Sequence, residues 1–181
     1  MENSQELINV NDLQLDFRHE LSAMINGKSL LNCIQCGVCS SGCTVSEWMD
    51  LQPHLVVSSL LLGMKERILS SRAIWMCSIC HRCTERCPKS VDYSFLLTLL
   101  RNLAIEEGHA PPEYTADLEN VFSAGFALPL HGSMFKSVNR RRERNGLPEL
   151  APADVESIRS IIQVTGLDRC MNKGDEQSNV E

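Results

Sequence analysis

The chain has 181 residues, of which 43% are hydrophobic, so it can form a compact domain with a buried core rather than a disordered protein. Its formal net charge of −6 argues against nucleic acid as a partner, because such binding depends on net positive charge. The polar, acidic N-terminus does not look like a signal peptide, and no apolar run is long enough to span a membrane. We therefore expect a cytoplasmic protein.

The first half of the chain is predicted to be helical, apart from an extended segment that begins near Leu13. Capping residues, prolines in first turns and glycines at helix ends mark the bounds. The predicted elements are a helix that ends near Gly27, a turn capped by Ser29, a helix that starts at Asp50 and Pro53 and ends at Gly63, a helix over 66–69, and a helix over 72–76 capped by Ser71.

The second half shows the same signals, and no strand pattern stands out anywhere, so the predicted fold class is all-α. The predicted helices run from their cap Asp92 to Glu107 with Gly108 behind, over 113–126, over 133–144, and over 153–165 with Gly166 behind. In the last helix, Val155, Ile158, Ile161 and Ile162 are predicted to face inward. The predicted organisation is an N-terminal extension and helix (1–28), a helical domain (29–110), a C-terminal helical extension (111–170) and a flexible tail (171–181).

Eight of the nine cysteines fall into two runs with the same spacing, Cys-x2-Cys-x2-Cys-x3-Cys, and a proline follows the second run. Two such runs are a signature of a pair of [4Fe–4S] clusters, because thiolate sulfur is a soft ligand that suits cluster iron. In a reducing cytosol, cysteines in this number are better explained as metal ligands than as disulfides. The runs are Cys33, Cys36, Cys39, Cys43 and Cys77, Cys80, Cys83, Cys87.

The fourth ligand of each cluster is predicted to come from the other run. Three cysteines at this spacing wrap one face of a cube, and in two-cluster proteins the fourth cysteine of each run binds the other cluster. This exchange also keeps the two clusters close together, as electron transfer requires. We therefore predict that cluster 1 is held by Cys33, Cys36, Cys39 and Cys87, and that cluster 2 is held by Cys77, Cys80, Cys83 and Cys43.

Two zinc sites, each with four cysteines, are the alternative interpretation of the two runs. Zinc usually takes two separate cysteine pairs rather than a run of four. A zinc-based interaction or nucleic-acid module would be supported only by the cysteine count and by a basic run. A solvated helix face is the usual explanation of that run, and a docking patch for an acidic partner is the alternative; the run comprises Arg140, Arg141, Arg142 and Arg144.

Three other residues near the cysteine pattern have open roles. His81 either tunes a cluster or is a partly exposed residue without a redox role. Trp75 either covers a cluster or packs in the core, and packing is the preferred interpretation. Cys170 has no partner in the pattern and is interpreted as a free thiol that packs like a small hydrophobe. No catalytic residue is predicted, because the chain has no phosphate-binding loop and no nucleophile with a paired base.

Five segments of the chain resemble the α-helical ferredoxin group, which includes iron–sulfur subunits of succinate dehydrogenase, fumarate reductase and anaerobic glycerol-3-phosphate dehydrogenase. The resemblance is closest to the C-subunit family of CoB–CoM heterodisulfide reductase from methanogenic archaea. It covers about residues 30–108 and rests on the first cysteine run, the helical linker over 53–69, Ile74-Trp75-Met76-Cys77, Glu85-Arg86-Cys87-Pro88, and residues 91–108.

The resemblance implies a protein that passes electrons from a flavin-bearing A subunit to the B subunit, which reduces CoM-S-S-CoB in methanogenesis. The chain has no adjacent cysteine pair of the kind that the B subunit uses, so the disulfide-reducing site is expected on a partner. A larger cytoplasmic complex with a hydrogenase or a formate dehydrogenase is the expected context, by analogy. The alternative is an iron–sulfur subunit of a glycerol-3-phosphate or succinate dehydrogenase-like enzyme, although the segment before Cys33 is too short for the [2Fe–2S] domain of the succinate type.

Overall fold

A computed structural model describes residues 8–24 and 27–168 of the chain. Within these ranges every regular element is helical, so the prediction of an all-α fold is confirmed. Two compact units make up the chain, Met1–His109 and Ala110–Glu181. The finer division predicted from the sequence stays a prediction, and Cys170 and the predicted tail over 171–181 lie outside the described residues. None of the described helices is both long enough and apolar enough to cross a membrane.

Seven helices and three short 3-10 turns form the described part of the first unit. The turns are Val10–Asp12, Gly27–Asn32 and Ser46–Trp48. The helices are α1 (Phe17–Ala23), α2 (Val38–Ser41), α3 (Pro53–Leu61), α4 (Lys65–Leu69), α5 (Ala73–Met76), α6 (Arg82–Glu85) and α7 (Tyr93–Glu107).

Helix α7 is the centre of the first unit. It contacts α4, α5, α6 and the turn Gly27–Asn32, and its Leu96, Leu97 and Leu100 are completely buried. Burying a leucine side chain stabilises a fold by about 1.5–3 kcal/mol, so this helix contributes much of the stability of the unit. Asp92 caps α7 as predicted, since its Oδ1 accepts from the N–H of Phe95 at 3.2 Å. Gly108, with φ of 90°, ends the helix as predicted.

Asp50 does not start α3, so that part of the prediction is wrong. Its carboxylate instead accepts hydrogen bonds at the beginning of α5, more than twenty residues further along the chain. The donors are the hydroxyl of Ser71 (3.0 Å) and the N–H groups of Arg72 (3.0 Å) and Ala73 (2.8 Å), with a fourth bond from the N–H of Leu51 (3.0 Å). Local sequence cannot distinguish a cap for the next helix from a cap for a distant one. Arg72 is the N-cap of α5 and makes no side-chain cap bond, so the predicted cap is displaced by one residue; Ser71 nevertheless accepts a hydrogen bond from the N–H of Ala73 at 3.1 Å.

The predicted beginning of the chain also needs correction. A 3-10 turn over Val10–Asp12 precedes the predicted extended segment, and α1 ends at Ala23, before Gly27, because Met24 has an extended backbone. Gly27 serves close packing, since a Cβ there would collide with the carbonyl of Leu21. Ser29 lies inside the turn Gly27–Asn32 and does not cap it; its Oγ accepts from the N–H of Asp92 at 3.1 Å and so fixes the start of α7.

The second unit contains α8 (Pro112–Ala124), α9 (Gly132–Arg144) and α10 (Val155–Thr165). Helices α8 and α10 pack together, and the Nε of Arg159 on α10 donates to the carbonyl of Phe122 at 2.9 Å. Ile162 is buried as predicted. Ile161 is 63% exposed, so its predicted inward position is wrong; it lies beside the buried stripe of α10 rather than in it.

Candidate metal centres

The two cysteine runs fold into nearly identical loops. Gln35 in the first run and Ile79 in the second occupy equivalent positions, and both have a left-handed backbone, with φ of 56° and 51°. The next equivalent pair, Gly37 and His81, is also left-handed, with φ of 75° and 60°. A short helix begins directly after each of these residues, α2 in the first run and α6 in the second. These left-handed residues curl each loop, so that its first three cysteines border one cavity.

Each loop borders one cavity, and the last cysteine of the other run completes the wall. Both cavities open to solvent. We name them cavity 1 and cavity 2. The cysteines of cavity 1 are Cys33, Cys36, Cys39 and Cys87, and those of cavity 2 are Cys43, Cys77, Cys80 and Cys83. The structure therefore brings together both predicted sets of four thiols, while Cys83 also borders cavity 1.

The rest of each cavity wall is mainly apolar. Val57, Val91 and Pro88 line cavity 1, and Val45, Met49 and Pro53 line cavity 2. Among the described residues, no three His, Cys, Asp or Glu side chains converge closely enough to hold a single metal ion. Four thiols that border one cavity suit a [4Fe–4S] cluster, in which each thiolate binds a different corner.

Burial raises the pKa of several of these thiols. Burial, and after it the nearby Cys77, raise the pKa of Cys83 to about 11. Burial also raises the pKa of Cys39 and of Cys77. Because metal binds the thiolate, these cysteines must release protons as a cluster assembles. The second cysteine of each run, Cys36 or Cys80, is exposed, so each cavity reaches the surface at that position.

Hydrogen bonds to sulfur are already present in both cavities. The N–H of Val91 donates to the Sγ of Cys87 at 3.3 Å, and the N–H of Ile79 donates to the Sγ of Cys77 at 3.4 Å. The side-chain amide of Gln35 donates to Cys33 at 3.3 Å. Such bonds stabilise negative charge on sulfur and are among the factors that set the potential of a cluster.

A histidine lies on the wall of each cavity and contacts a hydroxyl group through its Nδ1. In cavity 1, the Nδ1 of His54 is 2.6 Å from the Oγ of Ser40. In cavity 2, the Nδ1 of His81 is 2.8 Å from the Oγ of Ser94, which donates to Asp92. Thr84 is equivalent to Ser40 in the repeated loop and contacts Ser94 at 2.9 Å. These bonds attach each loop to the first turn of the following long helix, α3 or α7.

Arg101 fixes the chain just before the second loop. Its Nε donates to the carbonyl of Ile74 at 2.6 Å, and its Nη2 donates to the carbonyl of Cys77 at 2.6 Å. The guanidinium also lies over the ring of Trp75, 6.0 Å from the ring centre. Trp75 packs against the hydrophobic core, in agreement with the preferred interpretation of this residue.

Residues of functional interest that the sequence did not reveal are His54, Tyr93 and Arg101. Tyr93 borders both cavities. In the sequence it stands six positions after Cys87 and directly after Asp92, the cap of α7, and this position is the only sequence feature that could have pointed to it. The predicted basic run lies on α9, where Arg140, Arg141 and Arg144 are exposed; Arg142 donates to the carbonyl of Pro148 at 2.8 Å.

Known proteins with similar sequences decide the family. A model of the 4Fe-4S dicluster domain matches residues 29–91. The C2 subunit of the H(2)/formate:CoB-CoM heterodisulfide,ferredoxin reductase of Methanococcus maripaludis is 31% identical over 139 residues, 74% of this chain and 73% of the relative. The C subunit of the ferredoxin/F(420)H(2)-dependent CoB-CoM heterodisulfide reductase of Methanosarcina acetivorans is 30% identical over 138 residues, 75% of this chain and 83% of the relative. The chain belongs to the C-subunit family of heterodisulfide reductase.

The likeness to this family extends over the full length of the chain. The C subunit of the H(2):CoB-CoM heterodisulfide,ferredoxin reductase of Methanothermobacter thermautotrophicus is 27% identical over 187 residues, covering 100% of this chain and 98% of the relative. The predicted resemblance is thereby confirmed, and so is the cofactor content of two [4Fe–4S] clusters. This member of the C-subunit family is an iron–sulfur subunit of an oxidoreductase complex with a role in electron transfer.

Proposed function

We propose that this protein carries electrons from a flavin-bearing A subunit to a B subunit that reduces CoM-S-S-CoB, and that it performs no disulfide chemistry itself. One observation supports the relay above all others: the two four-thiol cavities are adjacent, since Tyr93 and Cys83 border both. Two clusters on either side of a shared wall can exchange electrons within the chain. The clusters, when bound, supply the one-electron redox chemistry.

The two exposed cysteines give the relay an entrance and an exit. Cys36 and Cys80 bring cluster ligands to the surface, and each lies near an exposed isoleucine, Ile34 (58% exposed) or Ile79 (37% exposed). Apolar residues that surround a charged cofactor can exclude water when a partner docks. We therefore propose that each partner contacts the chain at a different loop.

We propose the crossed ligation for the same two cavities. It is supported by Cys87 on the wall of cavity 1 and Cys43 on the wall of cavity 2. A nearby Cys43 is also one cause of the raised pKa of Cys77, after burial. In this arrangement the two runs form one interlocked unit, because neither cluster can assemble from a single run.

Variants of the two exchanged cysteines test the crossed ligation. Cys87→Ser is expected to change the EPR signal of the cluster held by Cys33, Cys36 and Cys39, and Cys43→Ser that of the other cluster. Cys36→Ser and Cys80→Ser serve as controls that mark each signal by a ligand from within its own run. If Cys87→Ser instead changed the signal marked by Cys80→Ser, the crossed assignment would be wrong.

The relay is tested in the purified complex under anaerobic conditions. We expect about eight iron and eight sulfide per copy of this chain, as two [4Fe–4S] clusters require. Rapid freezing after reduction of the flavin should trap the clusters of this chain in the reduced state before CoM-S-S-CoB is consumed. Disulfide reduction at the normal rate by a complex depleted of this protein would contradict the proposal.

The wider setting is also a proposal. The names of similar proteins include H(2) and formate as electron sources, which supports a larger complex with a hydrogenase or a formate dehydrogenase. Their organisms support a place in methanogenesis. We expect the complex in the cytoplasm, because a reducing compartment keeps this many cysteines available as ligands. Copurification of the native complex, with analysis of its flavin and metal content, would identify the partners.

A further inference from the structure

Tyr93 occupies the wall between the two cavities. It is the first residue of α7, is only 3% exposed, and borders both cavity 1 and cavity 2. The next residue, Ser94, is bound to His81 on the wall of cavity 2, so the backbone that carries Tyr93 is tied to the second loop. Tyr93 is therefore held firmly at the junction between the clusters.

The hydroxyl of Tyr93 has no hydrogen-bond partner within the described residues, although it is buried. It is the only buried side-chain nitrogen or oxygen in that part of the chain without one. Buried polar groups in native proteins are nearly always paired, and an exception calls for an explanation. A group bound in one of the two cavities would explain this one.

The surroundings of the hydroxyl indicate which chemical group would pair with it. Burial raises the pKa of Tyr93 well above its ordinary value, and Cys77, Cys83, Cys39 and Cys43 raise it further. A tyrosine hydroxyl is protonated at neutral pH even at its ordinary pKa, so this one can act as a donor. Tyr93 borders cavity 2 together with Cys77 and Cys83 of the second loop, and Ser94, the next residue of α7, lies on the same wall and contacts His81. In that cavity the sulfur atoms of a bound cluster would be the acceptors for this hydroxyl.

We propose that the Tyr93 hydroxyl donates a hydrogen bond to a sulfur atom of the cluster in cavity 2 and raises the reduction potential of that cluster. This inference rests on the proposed placement of a cluster in each cavity. Reduction adds negative charge to the cluster, so the hydrogen bond is stronger in the reduced state and favours it. The two clusters have the same kind of ligands, and the tyrosine makes the second the easier one to reduce.

Tyr93→Phe tests the proposal, because it removes the hydroxyl and keeps the ring that packs between the cavities. The matched control is Tyr114→Phe, which changes the one other tyrosine of the chain, on α8 in the second unit. Redox titrations followed by EPR are made on the full-length chain, with Cys80→Ser used to identify the signal of the cluster in cavity 2. We expect Tyr93→Phe to lower the one-electron reduction constant of that cluster about tenfold, or about 59 mV. The other cluster and the Tyr114→Phe protein should be unchanged.

A second measurement detects the hydrogen bond without relying on any variant. Pulsed EPR of the reduced wild-type protein in H2O and in D2O should show an exchangeable proton coupled to the cluster in cavity 2, and Tyr93→Phe should lack that coupling. Unchanged potentials in Tyr93→Phe, or a decrease confined to the cluster in cavity 1, would overturn the proposal. So would an identical proton coupling in the two proteins.

These outcomes are separable from those that test the relay. Iron and sulfide analysis of each variant shows whether both clusters are present. If both are present and Tyr93→Phe leaves the potentials unchanged, the tyrosine proposal fails and the relay is unaffected. If Tyr93→Phe shifts the potential but the complex depleted of this protein still reduces the disulfide, the relay fails and the hydrogen bond stands.

Discussion

Arg101→Met should weaken the attachment of the second cysteine loop to α7. The wild-type guanidinium donates to the carbonyls of Ile74 and Cys77, both at 2.6 Å, and more weakly to that of Trp75 at 3.4 Å. Ile74 and Trp75 lie in α5, and Cys77 is the first ligand of the loop. Methionine fills similar space along the stem but donates no hydrogen bond. The substitution therefore removes the two short bonds together with the weaker third one, and leaves these carbonyls without this donor.

The size of the loss in stability follows from the two bonds of 2.6 Å. A hydrogen bond from a charged group contributes about 1.5–3 kcal/mol, and Arg101 is partly exposed, so we expect a combined loss of about 2–4 kcal/mol. Arg101→Lys should lose about half as much, because a single ammonium group on a flexible stem can replace only one of two diverging bonds. The expected order of stability is wild type, Arg101→Lys, then Arg101→Met.

Anaerobic release of the clusters in a fixed concentration of guanidinium chloride measures this effect. We expect Arg101→Met to release the cluster in cavity 2 at least tenfold faster than wild type, since about 1.4 kcal/mol corresponds to a factor of ten. Arg67→Met is the control, because Arg67 is exposed on α4 and makes no bond to either loop in the described chain. Equal release rates in the two methionine variants would refute the role given to Arg101.

Three further substitutions test other parts of the first unit. In thermal unfolding scans, Asp50→Asn should lower stability at neutral pH and lose this effect in acid. Burial opposes the ionisation of Asp50, but its hydrogen bonds outweigh burial and hold its pKa below 3.8. The stability that the carboxylate contributes is therefore lost as the pH falls through that lower pKa. In denaturant titrations, Gly63→Ala should lower the free energy of unfolding by about 2 kcal/mol or more, because φ of Gly63 is 76° and the new Cβ would collide with the carbonyl of Gln14. Gly146→Ala is the control: φ is 66° there, but the new Cβ would meet no atom of the described chain, so the decrease should be smaller. Ile79→Asn should raise stability by about 1 kcal/mol in the same titrations, since asparagine tolerates the left-handed backbone better than a β-branched residue; lower stability in this variant would contradict the strain assigned to Ile79.

Local signals explain what could be predicted from the sequence. Cysteine spacing indicates a cluster because the ligands of one loop must follow each other at fixed intervals. The long helix α7 was predictable because its cap, Asp92, and its terminating glycine, Gly108, are both local features. The predicted starts of α9 and α10 each differ from the observed ones by no more than two residues.

Contacts between distant segments account for the rest. Asp50 and Ser29 have the side chains of helix caps, but the helices that they stabilise begin much further along the chain. His54, Tyr93 and Arg101 acquire their roles only when the two loops and α7 come together. A hydroxyl, a ring or a guanidinium at these positions carries no spacing rule that would distinguish it from an ordinary core or surface residue.

The differences between the two loops explain how similar ligand sets can serve a directional relay. Both loops have the same cysteine spacing and the same left-handed turns, so the ligands alone give the clusters little difference in potential. The surroundings differ at equivalent positions. Gly37 in the first loop corresponds to His81 in the second. Ser40 in the first loop corresponds to Thr84 in the second; Ser40 contacts His54, whereas Thr84 contacts Ser94. Potential depends on hydrogen bonds, net charge and exposure, and these are the properties in which the loops differ. Exchanging Gly37 and His81 between the loops should therefore reduce the difference between the reduction potentials of the two clusters. An unchanged difference would mean that Tyr93 and the partner proteins, and not these two residues, set it.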